Sequence, residues 1–331
     1  MMFKNKIILI SGGSGSWGHV LTEQLLKQEP KKIIIFSRGE LAQVNMERKF
    51  MNDKIEFIIG DVRDTVSVDI VFSRGVDYVF HLAALKHVPI CENMPIEAIK
   101  TNITGTINLV QAAIKYKVKK FIDVSTDKAV APSNLYGMTK AVGEKIVLQA
   151  NNLTNDTHFS CVRGGNVLGS NGSVVPHFIN QIKKQNRITI TNNDMTRYFL
   201  TLNDAIKLLF QATSRCVGGE IFVMNMPAFY ISDLAKIIVE NFGDEDTKID
   251  VIGIREGEKM HEELISEHEA KKSYVLNNDY YVILPSISIN RNYSYIINYT
   301  EKVNFNHFAS NDNIKDKGYL YTLLNKGNFL N

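Results

Sequence analysis

The chain has 331 residues, 44% apolar and 22% charged, the make-up of a globular protein with room for one large or two modest domains. A formal net charge of +3, with no Lys/Arg block, argues against a nucleic-acid partner. Three scattered cysteines (Cys91, Cys161, Cys216) with no C-x-x-C pair read as reduced thiols of a cytosolic protein and exclude a disulfide framework or zinc site. No stretch reaches the ~20 apolar residues of a membrane span, and the N-terminal apolar run is too short for a signal peptide. The expectation is a soluble, cytoplasmic protein that binds no metal.

The first half alternates between two periods. "KIILIS" (6–11) reads as a buried strand, followed by glycines and a helical stretch from about His19 to Gln28. "KKIIIFS" (31–37), "IEFIIGD" (55–61), "VDYVFHLAA" (76–84) and "KKFIDVST" (119–126) repeat the strand pattern, with the helical "IKTNITGTINLVQAAIKY" (99–116) before the last of them. A helix starts near Leu135, and "FSCVRGGNVLG" (159–169) is a sixth strand. β-Branched runs spaced by amphipathic helices predict an α/β fold, a Rossmann-type doubly wound parallel sheet. Beyond residue 170 the rhythm becomes α+β, which predicts a smaller substrate-binding lobe. The expected division is a dinucleotide-binding domain over 1–170, joined by segments from about 198–226, and a lobe and tail over 171–331. The final stretch, rich in Asn and Tyr, is given no elements.

"SGGSGSWG" (11–18) stands where the first strand meets the first helix, with the spacing Gly12-x-x-Gly15-x-x-Gly18. Glycines there permit a tight turn and a close approach of the backbone to a pyrophosphate, which the helix N-terminal amides then hold. The second strand ends in Ser37-Arg38, with no acid before Glu40. A hydroxyl and a guanidinium suit a 2′-phosphate where a carboxylate would suit a free ribose hydroxyl, so NADP is favoured over NAD. Asp61, ending the third strand, is placed to reach the adenine amino group.

"STDKAVAPSNLYGMTK" (125–140) sets Tyr136 and Lys140 four apart at the start of a helix, on one face. An ammonium beside a phenol favours the tyrosinate, a base for a substrate hydroxyl, and Thr126 can bond the same oxygen. A Tyr-x-x-x-Lys after a strand-ending Ser-Thr, behind a glycine-rich turn, resembles the extended short-chain dehydrogenase/reductase superfamily. "HLAALKHVPICENMPIEAIKTNITGT", "VRGGNVLGSNGSVVPHF", "MTRYFLT" and "IGIREGEKMHEELIS" carry the likeness further. From residue 6 to about 275 the chain is similar to the family of inverting UDP-N-acetylglucosamine 4,6-dehydratases that open pseudaminic acid biosynthesis, although Gly165 stands where that family suggests an aromatic.

That resemblance implies roles. Tyr136, Thr126 and Lys140 would oxidise C4, Lys128 would remove the C5 proton, and Asp127 would protonate the departing C6 hydroxyl. Lys128 must then be neutral for part of the cycle; Lys140 and the nicotinamide push it that way and Asp127 pulls the other, so the two titrate as one coupled pair. Ser14, Ser16 and Trp17 in the glycine turn, with Val62 and Ala83, would join Gly12, Gly15, Gly18, Ser37, Arg38, Asp61, Tyr136 and Lys140 around the cofactor. Lys86, Asn166, Arg197, Arg255 and Glu258 would hold UDP-N-acetylglucosamine, with His87 nearby. The family implies a dimer-based homo-oligomer, up to a hexamer. A retaining dehydratase, a UDP-sugar C4-epimerase and a non-catalytic NADP-binding sensor remain open alternatives.

Overall fold

The computed structural model describes residues 1–170, 172–298 and 300–330. The first half runs β1 (Ile7–Ser11), α1 (Ser16–Leu26), β2 (Lys32–Ser37), α2 (Glu40–Phe50), β3 (Ile55–Ile59), α3 (Thr65–Phe72), β4 (Tyr78–His81), α4 (Val88–Asn93) and α5 (Pro95–Ile99). One π-helical turn, Lys100–Thr104, leads into α6 (Gly105–Lys115), followed by β5 (Lys120–Thr126), α7 (Leu135–Gln149) and β6 (His158–Gly164). The second half contains β7 (Asn166–Val167), α8 (Val174–Gln185), β8 (Arg187–Ile190), β9 (Thr196–Leu200), α9 (Leu202–Arg215), β10 (Ile221–Met224), β11 (Ala228–Tyr230) and α10 (Ile231–Phe242). It ends with β12 (Lys248–Val251), β13 (Glu263–Ile265), α11 (Glu267–Ala270), β14 (Ser273–Asn277), β15 (Tyr280–Ile283), α12 (Ser294–Ile297), β16 (Glu301–Lys302), β17 (Phe308–Ala309) and α13 (Lys317–Lys326).

Ten strands form one sheet in the order β16-β14-β15-β10-β6-β5-β4-β1-β2-β3. From β3 to β10 every pairing is parallel, and β15, β14 and β16 continue it antiparallel. The 3-2-1-4-5-6 order reverses between β1 and β4, and such a switch point opens a crevice at the carboxyl ends of the strands. The doubly wound sheet expected from the sequence is thus present. Its strands are apolar runs because helices cover both faces: Ile8, Leu9, Ile10 and Ile33–Ile35 are fully buried.

Two differences from the sequence reading matter. The sixth strand stops at Gly164, and Asn166–Val167 leaves the large sheet to pair with β9, beside β11. The Asn/Tyr-rich tail is ordered into β14–β16, because alternate side chains such as Leu276, Tyr280 and Val282 bury against the sheet edge. A second core gathers Val175, Phe178 and Ile182 of α8, Leu234, Ile237 and Ile238 of α10, and Leu320 and Leu324 of α13. Among the described residues no helix is long and apolar enough to cross a membrane.

Candidate active site

A cavity of about 1040 Å³ runs along the carboxyl ends of β1, β2, β4, β5 and β6. Gly12, Ser14, Gly15, Ser16, Trp17 and Gly18 line one end, with Ser37, Arg38, Asp61, Val62 and Ala83 beside them. Gly12 has φ +68°, and a Cβ there would stand 2.7 Å from the Ala83 backbone, so the turn tolerates only glycine. Gly15 is the N-cap of α1 and offers no side chain to the first turn, whose residues Ser16, Trp17 and Gly18 line the cavity. This cradle fits the pyrophosphate of a dinucleotide.

At the adenosine end the polar groups already have partners. The Ser37 hydroxyl lies 2.9 Å from that of Ser14 and accepts from Gln43 Nε2 at 2.9 Å. Gln43 also donates to the carbonyls of Ser37 and Ile58, tying β2 to β3. Arg63 bonds Asp61 through its backbone N–H and its guanidinium, at 2.9 and 2.8 Å, and Arg38 lies 3.8 Å from the same carboxylate. Burial raises the Asp61 carboxyl, but Arg63 outweighs it and brings the group below its ordinary value.

At the other end stand Thr126, Lys128, Tyr136, Lys86, His87 and Asn166. Thr126 closes β5, and residues 127–129 make one tight turn against the first turn of α7. Gly137 permits that approach, since a Cβ there would collide with the Lys128 carbonyl oxygen. Asn134 caps α7 by accepting from the Gly137 N–H at 2.9 Å. Asn102, from the π-helical turn, bonds both backbone groups of Leu85 and the Thr139 hydroxyl, fixing the loop that carries Lys86 against α7.

The two lysines differ in their surroundings. Lys140 is buried and lies 3.1 Å from Asp123. Burial lowers its amine pKa, but Asp123 and Tyr136 raise it further, so it stays charged. His81, between Ser11 and Thr106, is pushed down to about 4 by burial and stands neutral 3.9 Å from Asp123. Lys128 is 20% exposed, at the cavity wall, with Asp127 at 3.0 Å and Glu262 at 3.3 Å. Its amine also donates to Asn166 Oδ1 at 3.4 Å.

Burial lowers the Lys128 pKa, yet the two carboxylates win and raise it well above that of a free lysine. To the opposing pull expected from Asp127 the fold adds a second acid, Glu262, distant in sequence. Asp127 is raised, by burial first and by Glu262 as well, against the pull of Lys128 and Thr126. Burial also raises Tyr136, and Lys140, Lys128 and Thr126 only partly offset it. The protein's own groups thus leave the phenol raised, without the nicotinamide charge that the sequence reading set beside Lys140.

The fold does not bring every expected substrate ligand to the cavity. Arg197 is 6% exposed; its guanidinium donates to the carbonyls of Thr196 and Met260 and lies 3.9 Å from Glu262. Arg255 is exposed and Glu258 half-buried on the loop between β12 and β13, and neither lines the cavity. That loop is held over residues 130–134 by Lys259 bonding the Val130 carbonyl and by Ser133 and Asn134 bonding that of Gly257. Lys86 lines the cavity, and burial lowers its amine pKa. Sequence reasoning missed Glu262, Asp123 and Gln43. Asp123 alone left a sequence signal, an acid two residues before the strand-ending Ser-Thr.

The polysaccharide biosynthesis protein family matches residues 8–284. The chain is 44% identical to the UDP-N-acetylglucosamine 4,6-dehydratase (inverting) of Campylobacter jejuni over 87% of this chain and 85% of that one. It is equally, 44%, identical to the UDP-glucose 4-epimerase of Rickettsia canadensis, over 85% and 84%. The X-ray structure of Pen from Bacillus thuringiensis superposes with a TM-score of 0.92 at 38% identity and covers 100% of both chains.

More distant solved folds bear on the cofactor. DesIV, a dTDP-glucose 4,6-dehydratase from Streptomyces venezuelae (21% identical, TM-score 0.70, 77% of this chain and 86% of that one), holds NAD. So do a UDP-glucose 4-epimerase from Thermus thermophilus (20%, 0.66, 76% and 88%) and a dTDP-glucose 4,6-dehydratase from Bacillus anthracis (18%, 0.65, 76% and 86%). The NADP expectation is corrected on this finding, and the local geometry agrees, since the Ser37 hydroxyl is engaged within the fold and Arg38 leans on Asp61. With its glycine cradle, its Tyr136–Lys140 face and relatives alike across most of their length, the chain belongs to the NAD(P)-dependent sugar 4,6-dehydratase/epimerase family of extended short-chain dehydrogenases/reductases.

Proposed function

We propose that the protein is a 5-inverting UDP-N-acetylglucosamine 4,6-dehydratase that uses NAD and returns it unchanged. Its product would be UDP-2-acetamido-2,6-dideoxy-L-arabino-hex-4-ulose, the opening intermediate of a pseudaminic acid-type route. One observation carries the reading: a second acid–base pair accompanies Tyr136, with Lys128 on the cavity wall and Asp127 buried 3.0 Å from its amine. Epimerisation at C4 needs only a group such as Tyr136 to move one hydroxyl proton, and would leave that pair idle.

When bound in the glycine cradle, the dinucleotide would supply a hydride acceptor for C4 and a hydride donor for C6. Tyr136, once ionised beside Lys140 and the oxidised nicotinamide, would take the C4 hydroxyl proton, and the C4 ketone that results would acidify the proton on C5. Lys128, once neutral, accepts the C5 proton, while Asp127 gives its own to the C6 hydroxyl, which leaves as water. Burial already inclines Asp127 to carry that proton. Lys128 then reprotonates C5 on the opposite face, which inverts that centre. The cycle leaves one proton gained by Tyr136 and one lost by Asp127. Thr126 is tied to the second of these groups, its hydroxyl donating to Asp127 Oδ1 at 2.9 Å. Lys86 and Asn166, on the cavity wall, are the groups proposed to meet the sugar and its diphosphate.

Incubation with UDP-N-acetylglucosamine and NAD tests the reading by mass. Loss of one water supports it, an isomer of unchanged mass indicates an epimerase, and unchanged substrate points to a non-catalytic sensor. Proton NMR of product formed in D₂O separates inversion from retention at C5. A dimer-based assembly belongs to the same reading, supported by exposed Ile90 on α4, Ile96 on α5 and Met94 between them, beside Met138 and Val142 on α7. Light scattering checks it.

A further inference from the structure

Lys128 must lose a proton before it can act as a base, yet nothing in its own sequence neighbourhood governs that loss. Asp127 cannot, because in the proposed cycle it carries a proton of its own to deliver to the leaving hydroxyl. While it carries that proton it is neutral and has no charge with which to hold the amine. The carboxylate that remains is Glu262, which sits 135 positions from Asp127 on the segment leading into β13 (262 − 127 = 135). It is 3% exposed and lies 3.3 Å from the Lys128 amine. Its backbone is fixed from both sides by Ser310, whose hydroxyl accepts the Glu262 N–H at 3.0 Å and whose N–H bonds the Glu262 carbonyl at 2.8 Å.

A buried carboxylate persists only if cations answer it. Arg197 does so from β9 at 3.9 Å, and its guanidinium is otherwise committed to two backbone carbonyls. One oxygen of Glu262 and one of Asp127 are buried with no partner, so neither acid is locked in a closed network. The other groups facing this cluster are Tyr136 on α7, Tyr198 on β9, Asn166 on β7 and Lys259 near Glu262.

We propose that Glu262 is a positioning residue for the dehydration step: it holds the Lys128 amine at the cavity wall and fixes the pH at which that amine becomes a base, while Arg197 opposes it by bringing a second cation to the cluster. Arg197 then belongs to the catalytic base and not to the substrate phosphates. The inference rests on the dehydratase reading above and adds to it the control of Lys128.

The test is the acidic limb of the kcat/KM profile for water loss, read beside a ¹⁵N NMR titration of the Lys128 amine in the NAD-loaded protein. In Glu262→Gln the amine loses the carboxylate that keeps it charged, so the limb and the titration move to lower pH, by about one unit. In Arg197→Gln an opposing cation is lost, and both move to higher pH. Glu262→Asp keeps the charge and restores the wild-type position of the limb. A mere brace would lower the rate of Glu262→Gln without moving either readout, and that result overturns the inference. So does a shift of the same sign in the Glu262 and Arg197 variants. If wild-type protein releases no water, the dehydratase reading itself fails, while the NMR titration still decides whether Glu262 sets Lys128.

Discussion

Two buried clusters of charge, one anchored on α7 and one on the turn that packs against its first residues, behave differently. Near the end of α7, Glu144 receives Arg163 through two bonds of 2.8 and 2.7 Å, and Glu269 receives the same guanidinium through two more of 2.9 and 2.8 Å. The Leu264 carbonyl takes a further N–H at 3.0 Å. That clamp fastens β6 to the segment after β13. At the start of α7, Asp127, Lys128 and Glu262 meet through single contacts, and two carboxylate oxygens have no partner. The first cluster is satisfied and therefore rigid. The second is under-bonded, which makes it a poor brace and a good place to move protons.

Removing Lys128 should separate the two most sharply. Lys128→Met is expected to lower water loss by ~10²–10⁴-fold, the usual contribution of a general acid–base group. NAD binding, followed by cofactor fluorescence, should persist, because the glycine cradle lies at the far end of the cavity. The stability loss should be modest, since Asp127 is already inclined to take up a proton and so shed the unanswered charge. Arg163→Met should do the reverse. Its two carboxylates would be stranded in the interior, at a cost of about 3–5 kcal/mol in denaturant unfolding. An Arg163 variant that is fully stable would erase the distinction.

How much of this was legible beforehand follows from the range of the interactions. The glycine turn, the six strands and the Tyr136–Lys140 face are local, set by spacings of a few residues, and the sequence carries them directly. Glu262 reaches Lys128 across 134 positions (262 − 128 = 134), and no periodicity encodes that pairing. Arg197 looked like a phosphate ligand because an arginine beside aromatic residues reads the same whether it faces a cavity or a buried acid. The tail strands β14–β16 were missed because Asn and Tyr mask their alternation. Asn166–Val167 was read as the end of β6, though the chain turns away at Gly165, whose missing side chain lets Tyr198 pack close.

Acid should take the two regions apart in sequence. His81 lies on the site side, beside the Asp123 that holds Lys140, and its folded value of about 4 is below the ordinary 6.5. A depressed histidine contributes stability that is complete above 6.5 and lost as pH falls through 4. Glu269, in the clamp, is brought down to about 2 from 4.5, chiefly by Arg163 acting against burial. Its contribution is complete above 4.5 and lost as pH falls toward 2. Each shift of about 2.5 units corresponds to roughly 3 kcal/mol. Stability measured against pH should therefore fall in two steps, and Glu269→Gln should remove only the lower one. A single step that Glu269→Gln leaves unchanged would contradict the assignment.

The smallest expected effect lies where the clusters share their support. Asn134 caps α7 through Gly137 and also donates to the Gly257 carbonyl at 3.0 Å. Asn134→Ala should cost about 1 kcal/mol overall, the usual value of an N-cap. The loss should not spread evenly along α7. Helix ends fray within their first turn, so the amides beside Tyr136 should exchange hydrogen faster, while those beside Glu144, two turns on and held by Arg163, should keep their protection. Catalysis should fall with the loosened phenol even though no reacting group has changed. Uniform loss of protection along α7 would mean that the two ends are one mechanical unit, and that the site owes its precision to the clamp.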